Sequence, residues 1–354
     1  MICIIGCGFR SDPEVSDAGI PRFNNQRTGN ARCSGITEQP SVIWKIENNA
    51  GYELLYSDGV LLLYGHGSLG GIDAEDGTSL WAYSSENQLV GSPCINNGMV
   101  YFSASGLITI LDLHSGDLIA NVTVPSLSTG PMISDSLIIS GLTLGGFIAV
   151  RIDNYTTAWH LDLSGLRPMT LSISDSLFFA TLKDSPPPGL SGFQRVRRIG
   201  AFEITTGKPV WITKLGPVDI DYIPIVSDLA LVVLSDSLAA LDLYTGDIRW
   251  KVAETVESEI GCTYDQIVFC DNREIISLDP YSGMRLASKF LPGGPYHGLI
   301  VCDDVIYLGG TYRILCLNHD FEPLWVFNPA GSSYMPVDNK IFFTIGGSVY
   351  SVGH

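Results

Sequence analysis

Basic residues are scarce in this chain. Lys and Arg total 20 against 37 Asp and Glu, a net charge of −17. No basic surface of the kind that holds a phosphate backbone can be assembled from so few cations, which excludes nucleic acid as a partner. Charge of both signs is low, at 16% of residues, below the roughly 25% usual in globular domains. No run of 18 apolar residues occurs, so no membrane-spanning helix is predicted. The eight cysteines contain no adjacent pair and no Cys-x-x-Cys, the six histidines show no metal-ligand spacing, and there is no Gly-x-Ser-x-Gly elbow. Gly65-His66-Gly67-Ser68-Leu69-Gly70 has the Gly-x-Gly-x-x-Gly spacing, but a strand rather than a helix follows, so it reads as a hairpin and not a phosphate cradle. No catalytic residue, metal or cofactor is expected from motifs.

What the chain does have is glycine, 38 residues, and 45% hydrophobic residues. That is enough to bury a large core, and it suits many short strands joined by tight turns. Several cysteines sit in apolar runs, as in Ile267-Val268-Phe269-Cys270 and Ile314-Leu315-Cys316-Leu317, where they read as small buried hydrophobes. One disulfide among Cys262, Cys270, Cys302 and Cys316 stays open.

The start is unusual. Ile4-Ile5-Gly6-Cys7 resembles the tail of a bacterial lipoprotein signal, which marks Cys7 as a candidate for lipidation. The basic and apolar regions that precede such a site are missing. Either the start codon is assigned too far downstream, or this is a hydrophobic first strand.

Self-comparison decides the fold. Ala240-Leu241-Asp242-Leu243-Tyr244-Thr245-Gly246-Asp247-Ile248-Arg249-Trp250 returns as Gly71 to Trp81, Leu111 to Gly116, Phe202 to Trp211 and Leu278 to Gly283, with degenerate copies at Ile152 to Trp159 and Leu317 to Trp325. The Asp-equivalent positions are 73, 112, 153, 203, 242, 279 and 318. A second set of polar turns, among them Ser57-Asp58-Gly59, Asn96-Asn97-Gly98 and Asp338-Asn339, runs at the same period and gives eight copies. Each unit reads as four antiparallel strands, the blade of a β-propeller. All six tryptophans, at 44, 81, 159, 211, 250 and 325, fall at the end of a fourth strand, and Ala120 and Ala287 take the place in the other two units. Such a fixed phase implies a repeated slot between blades. The final unit lacks a fourth strand and Ser41 to Ile46 lacks the other three. An all-β, eight-bladed propeller is therefore expected, its last blade closed by the N-terminal strand. Residues 1–40 form a lead-in and 41–354 a single propeller domain.

The unit Ala-Leu-Asp-x-x-Thr-Gly-x-x-x-Trp resembles the tryptophan-docking repeat of quinoprotein (PQQ-type) eight-bladed propellers, over about residues 41–352, and residues 22–30 resemble the lead-in common among them. That family includes PQQ-dependent dehydrogenases and BamB-type outer-membrane assembly lipoproteins. The dehydrogenases are usually longer, and many carry a vicinal cysteine pair over the cofactor and Asp, Glu and Asn around calcium. The absent cysteine pair puts PQQ chemistry in doubt here, and the compact size resembles the BamB type.

Two features stand apart from the repeat. The fourth unit carries an insertion, residues 183–198, between its second and third strands. It holds Lys183, Phe193, Arg195, Arg197 and Arg198, a basic, Pro-rich, aromatic-tipped contact in an acidic protein. Tyr222, Glu259, Tyr296, His297 and Tyr334 recur near the start of innermost strands, where they would ring the channel mouth, either to hold a ligand or to plug it. The expectation is a non-enzymatic protein-binding scaffold of the cell envelope, exported to the periplasm or anchored in the outer membrane through lipid. It would be cytoplasmic if no upstream signal exists. The alternative is a sensor or oxidoreductase that takes a sugar or quinone at the channel mouth.

Overall fold

In the computed structural model, residues 30–31, 33–47, 53–65, 67–134, 136–184, 197–216, 222–271, 273–329 and 334–354 are described. Among them there is no helix. Thirty-two strands make eight four-stranded antiparallel sheets. Blade 1 takes residues 53–84, blade 2 94–123, blade 3 132–161, blade 4 166–216, blade 5 225–252, blade 6 261–290 and blade 7 296–327. Blade 8 combines 334–353 with the strand Ser41–Glu47, which pairs antiparallel with Ser348–Gly353. The expected closure by the N-terminal strand is what the chain adopts, and it gives the last blade the outer strand it would otherwise lack.

First strands of neighbouring blades touch one another, which places them nearest the axis. Three of them are the shortest strands, Met132–Ile133, Ile225–Val226 and Gly261–Cys262 with two residues each, whereas Leu166–Ser174 of blade 4 has nine. Second and third strands are covered on both faces, which is why Leu229–Leu234 and Ser237–Asp242 are apolar almost throughout. The fourth strands have one face to solvent, and Ser79–Ser84 alternates accordingly. The core therefore lies in the seams. Phe147 of blade 3 meets Phe178 and Phe202 of blade 4 at ring centroid distances of 5.0 and 4.9 Å.

Six of the eight seams are fastened by the indole of an outer strand. Trp81 Nε1 donates to Leu113 O of the next blade at 2.8 Å, Trp211 to Leu243 O at 2.8 Å, Trp159 to Ile204 O at 2.9 Å and Trp250 to Pro280 O at 2.7 Å. The acceptor always follows the acidic position of the neighbouring turn. Two small residues make room for the ring. On its own sheet the cross-strand partner of Trp81 is Gly71, that of Trp159 and Trp211 is Ala149 and Ala201, and that of Trp250 is Ala240. On the next blade the turn glycine lies under the ring: a Cβ on Gly116 would come within 2.6 Å of the Trp81 indole, and Gly116 has φ 72°. Glycine meets both demands at once, a left-handed backbone and no side chain.

The turn itself is held by its acid. Asp112 Oδ1 accepts from the N–H groups of His114 and Ser115 at 2.9 and 2.8 Å, and Asp279 Oδ1 from Tyr281 and Ser282 at 3.1 and 2.7 Å, the Asx geometry expected of this motif. The same bonding pattern corrects one register. Tyr155 N–H donates to Arg151 O as Gly116 N–H does to Asp112 O, so in blade 3 the acidic position belongs to Arg151 and not Asp153. The neighbouring aspartate mimicked the motif two residues out of phase.

Blade 8 has no third-to-fourth turn to offer the indole of blade 7, because its outer strand comes from the other end of the chain. The lead-in replaces it. Trp325 Nε1 donates to Ile36 O at 2.7 Å, Ile36 N–H to Tyr307 Oη at 2.5 Å, and Gly35 N–H to Asp304 Oδ1 at 2.6 Å. Ala31, Cys33 and Ile36 are buried in one cluster with Val305, Tyr307, Cys316 and Trp325.

Candidate functional site

The groups expected at the channel mouth lie at the starts of innermost strands, and most are engaged between blades. Tyr222 Oη, ahead of blade 5, accepts from Ile260 N–H ahead of blade 6 at 2.6 Å. Glu259 N–H donates to His297 O of blade 7 at 2.7 Å, and its Oε2 accepts from Leu299 N–H at 3.4 Å. Tyr334 of blade 8 donates from Oη to Tyr307 O of blade 7 at 3.0 Å. Ser172 Oγ and Ser128 Oγ make the corresponding links to Ile223 O and Pro168 O, at 2.8 and 2.9 Å. These bonds form a belt of clasps around the inner strands.

The tyrosines divide by burial. Tyr296 is 1% exposed and Tyr334 7% exposed. Burial pushes the Tyr296 phenol above its ordinary value, and its Oη donates to Pro292 O at 2.9 Å. The Tyr334 ring lies over Gly298 and Gly309, where any Cβ would collide with it. Both rings sit where packing between blades requires them. His297 is the exposed member of the set, next to the partly exposed Glu259.

On the same face as the blade-to-blade connections, an open cleft of about 410 Å³ is lined by Glu53, Tyr64, Gly65, Gln88, Leu89, Gly91 and Ser92. Tyr64 Oη donates to Glu53 Oε2 at 2.6 Å. The sequence signal for this cleft was slight: only its glycines follow the repeat.

The blade 4 insertion begins beyond Asp184 and ends before Arg197, and Phe193 and Arg195 lie outside the described residues, as does Cys7. Its base is fully structured. Lys183 and Arg197 are cross-strand partners and Arg197 is buried. Arg198 grips Asp184 with two bonds, Nε to Oδ1 at 3.0 Å and Nη2 to Oδ2 at 3.2 Å. Three of the cations expected on the insertion thus belong to its strands, and one of them is held in an ion pair.

Residues 27–163 match the sequence model of the family described as outer membrane protein assembly factor BamB. Over that stretch the chain is similar to this family, in keeping with its eight four-stranded blades. Solved structures with the same fold include BamB from Moraxella catarrhalis, with 16% identity, 89% of this chain and 100% of that chain covered, and a TM-score of 0.65. The quinohemoprotein alcohol dehydrogenase from Comamonas testosteroni has 11% identity, covers 96% and 81%, and superposes with a TM-score of 0.74. The computationally designed protein Ika8 has 13% identity, 87% and 97% coverage and a TM-score of 0.70. Among curated proteins no sequence matches significantly.

Two residues of this propeller went unread in its sequence. Where Ala120 leaves blade 2 without an indole, Tyr155 of blade 3 stands in the turn at φ 57° and packs into the same seam. Where Ala287 does so in blade 6, Phe321 of blade 7 stands at φ 62° and joins Val268, Cys270 and Ile275. The signal was available: each alanine in the tryptophan column is followed, one blade later, by an aromatic in the glycine column. The donor set also departs from the PQQ dehydrogenase pattern. Among the described residues no three His, Cys, Asp or Glu side chains converge as metal ligands, and the described cysteines are buried in strands, just after one (Cys302) or in the lead-in (Cys33). These residues do not fit that cofactor.

Proposed function

We propose that this chain is a non-catalytic protein-binding scaffold of a cell-envelope assembly, exported and held at the periplasmic face of the outer membrane. The observation that carries the reading is the match of residues 27–163 to the BamB family model. The geometry supports it: the polar groups at the inner strands are spent on clasps between blades, which makes a rigid platform, while a basic, aromatic insertion is mounted on paired strands. Rigid elements carrying a variable loop are a common way to build a contact surface. The partner is an envelope complex met through the blade 4 insertion, and attachment to the membrane is through lipid on Cys7.

The test is co-purification from the detergent-solubilised envelope of the source cell, with the full chain and a variant lacking residues 185–196. An envelope assembly complex should accompany the full chain and be lost from the variant, with the melting temperature unchanged because Arg198 and Asp184 are retained. An unchanged set of partners defeats the role of the insertion. Absence of any envelope component from both defeats the scaffold reading.

The resemblance to a quinohemoprotein alcohol dehydrogenase fold favours a second reading, a small-molecule sensor or oxidoreductase. Saturable binding of a sugar or quinone, lost on Glu259→Ala with His297→Ala, would support that reading over the first.

A further inference from the structure

The lead-in and blade 7 bring two cysteines into contact from opposite ends of the chain. Cys33 Sγ and Cys302 Sγ are 3.4 Å apart, although 269 positions separate them. Both are buried, at 5% and 1% exposure. Their backbones are tied on either side of the thiols: Ala31 N–H donates to Val301 O at 2.9 Å and Asp303 N–H to Cys33 O at 3.1 Å. Adjacent backbones of this kind hold Cα atoms at the separations disulfides use, and a bond of about 2.05 Å requires the sulfurs to close by only about 1.4 Å.

Cys270 and Cys316 are placed differently. Burial pushes the Cys270 thiol up to about 12, and Cys316, raised likewise to about 12, donates from Sγ to Ile36 O at 3.5 Å. The pair at 33 and 302 differs from the four-cysteine set expected from spacing, because the lead-in contact is invisible until the ring is closed.

We propose that Cys33 and Cys302 are a disulfide pair, a covalent clasp that locks the lead-in onto blade 7 and fastens the ring at its closing seam. The reaction is thiol–disulfide exchange with a small or protein disulfide oxidant. Both S–H bonds break, the Cys33–Cys302 S–S bond forms, and two electrons and two protons pass to the oxidant, which leaves as two thiols. In the closed ring neither sulfur is accessible, so exchange takes place before the lead-in is seated. Once made, the bond is shielded from reductant by the same burial. The clasp encloses blades 1 to 6 in one covalent loop. It is independent of the partner reading, since it is tested on the isolated protein.

The experiment refolds the full chain from denaturant in a reduced and oxidised glutathione buffer, then blocks free thiols with iodoacetamide in denaturant. Intact mass counts blocked thiols, and non-reducing peptide mapping locates any link. A link between the Cys33 and Cys302 peptides, with a melting temperature roughly 5 °C or more above the reduced protein, is expected. Cys33→Ser should abolish both the link and the temperature gain. Eight blocked cysteines after oxidative refolding, or a link from Cys302 to any other cysteine, overturns the proposal. The wild-type peptide map decides between these outcomes even if the variant does not fold.

Discussion

Tyr155 holds a left-handed backbone where the equivalent turn of blade 2 has Gly116, and its side chain packs into the seam that Ala120 leaves without an indole. A large ring is therefore supplied to this seam from the following blade instead of the preceding one. The cross-strand partner changes with it: Ile110 faces Ala120, where Gly71 faces Trp81.

This exchange is testable as a cycle. Ala120→Trp alone drives an indole into the Tyr155 side chain, and Tyr155→Gly alone empties the slot; each should cost about 2–4 kcal/mol. The double variant restores the indole and the turn glycine of the other seams, with Ile110 kept where Trp81 faces Gly71. A favourable coupling of about 1–3 kcal/mol is expected by urea denaturation. Simple additivity would show that the two residues do not share a slot.

Trp325 is expected to behave differently from the other tryptophans. Trp81→Phe removes a bond to the next blade, whereas Trp325→Phe removes one to the lead-in at Ile36. Both should lose about 1–2 kcal/mol. Only Trp325→Phe should accelerate limited proteolysis between residues 30 and 40, read by mass spectrometry. Equal cleavage in both variants would mean that the indole does not secure this segment.

The acid limb of stability should trace to the turn carboxylates. Backbone N–H bonding from Ser115 holds Asp112 below its ordinary value, and bonding from the Ser282 hydroxyl holds Asp279 below its own. A depressed folded value contributes stability above the unfolded value, near 4, and loses it as pH falls through the folded one. The urea midpoint of the wild-type protein should hold from neutral pH to about 5 and fall below about 4. In the double variant Asp112→Asn, Asp279→Asn the midpoint should be lower at neutral pH and the fall shallower. Parallel curves would remove these residues from the explanation.

Tyr334→Phe separates packing from ligand binding. The ring is kept and only the bond to Tyr307 O is lost, leaving a buried carbonyl with one fewer donor. Stability should drop by about 1 kcal/mol. Unaltered stability would argue that the hydroxyl is not a clasp.

The number of blades and their closure were readable in the chain because three residue types recur in phase, each for a separate physical reason: indole for the seam, glycine for the turn, acid for the cap. The misplaced register in blade 3 arose where two of these failed together, with Arg151 in place of the acid and Tyr155 in place of glycine. Contacts of the lead-in were out of reach of any local pattern, since Ile36 and Trp325 are 289 positions apart. The engaged state of Tyr222, Tyr296 and Tyr334 was equally hidden. They lie near the starts of inner strands, but whether an aromatic faces a channel or a neighbouring blade depends on packing that no spacing encodes.

The eighth blade also sets a clock. Ser41–Glu47 leaves the ribosome ahead of blades 1 to 7, yet its hydrogen-bonding partner, Ser348–Gly353, is made only after all of them. At synthesis rates of roughly 5–20 residues per second, the gap of about 300 residues is on the order of 15–60 s. Through that interval Val42, Trp44 and Ile46 belong to a strand with no sheet to join, while blades 1 to 7 can already stack. Such a strand is an invitation to pair with another chain. The order of synthesis therefore leaves this strand solitary until Ser348–Gly353 emerges to pair with it.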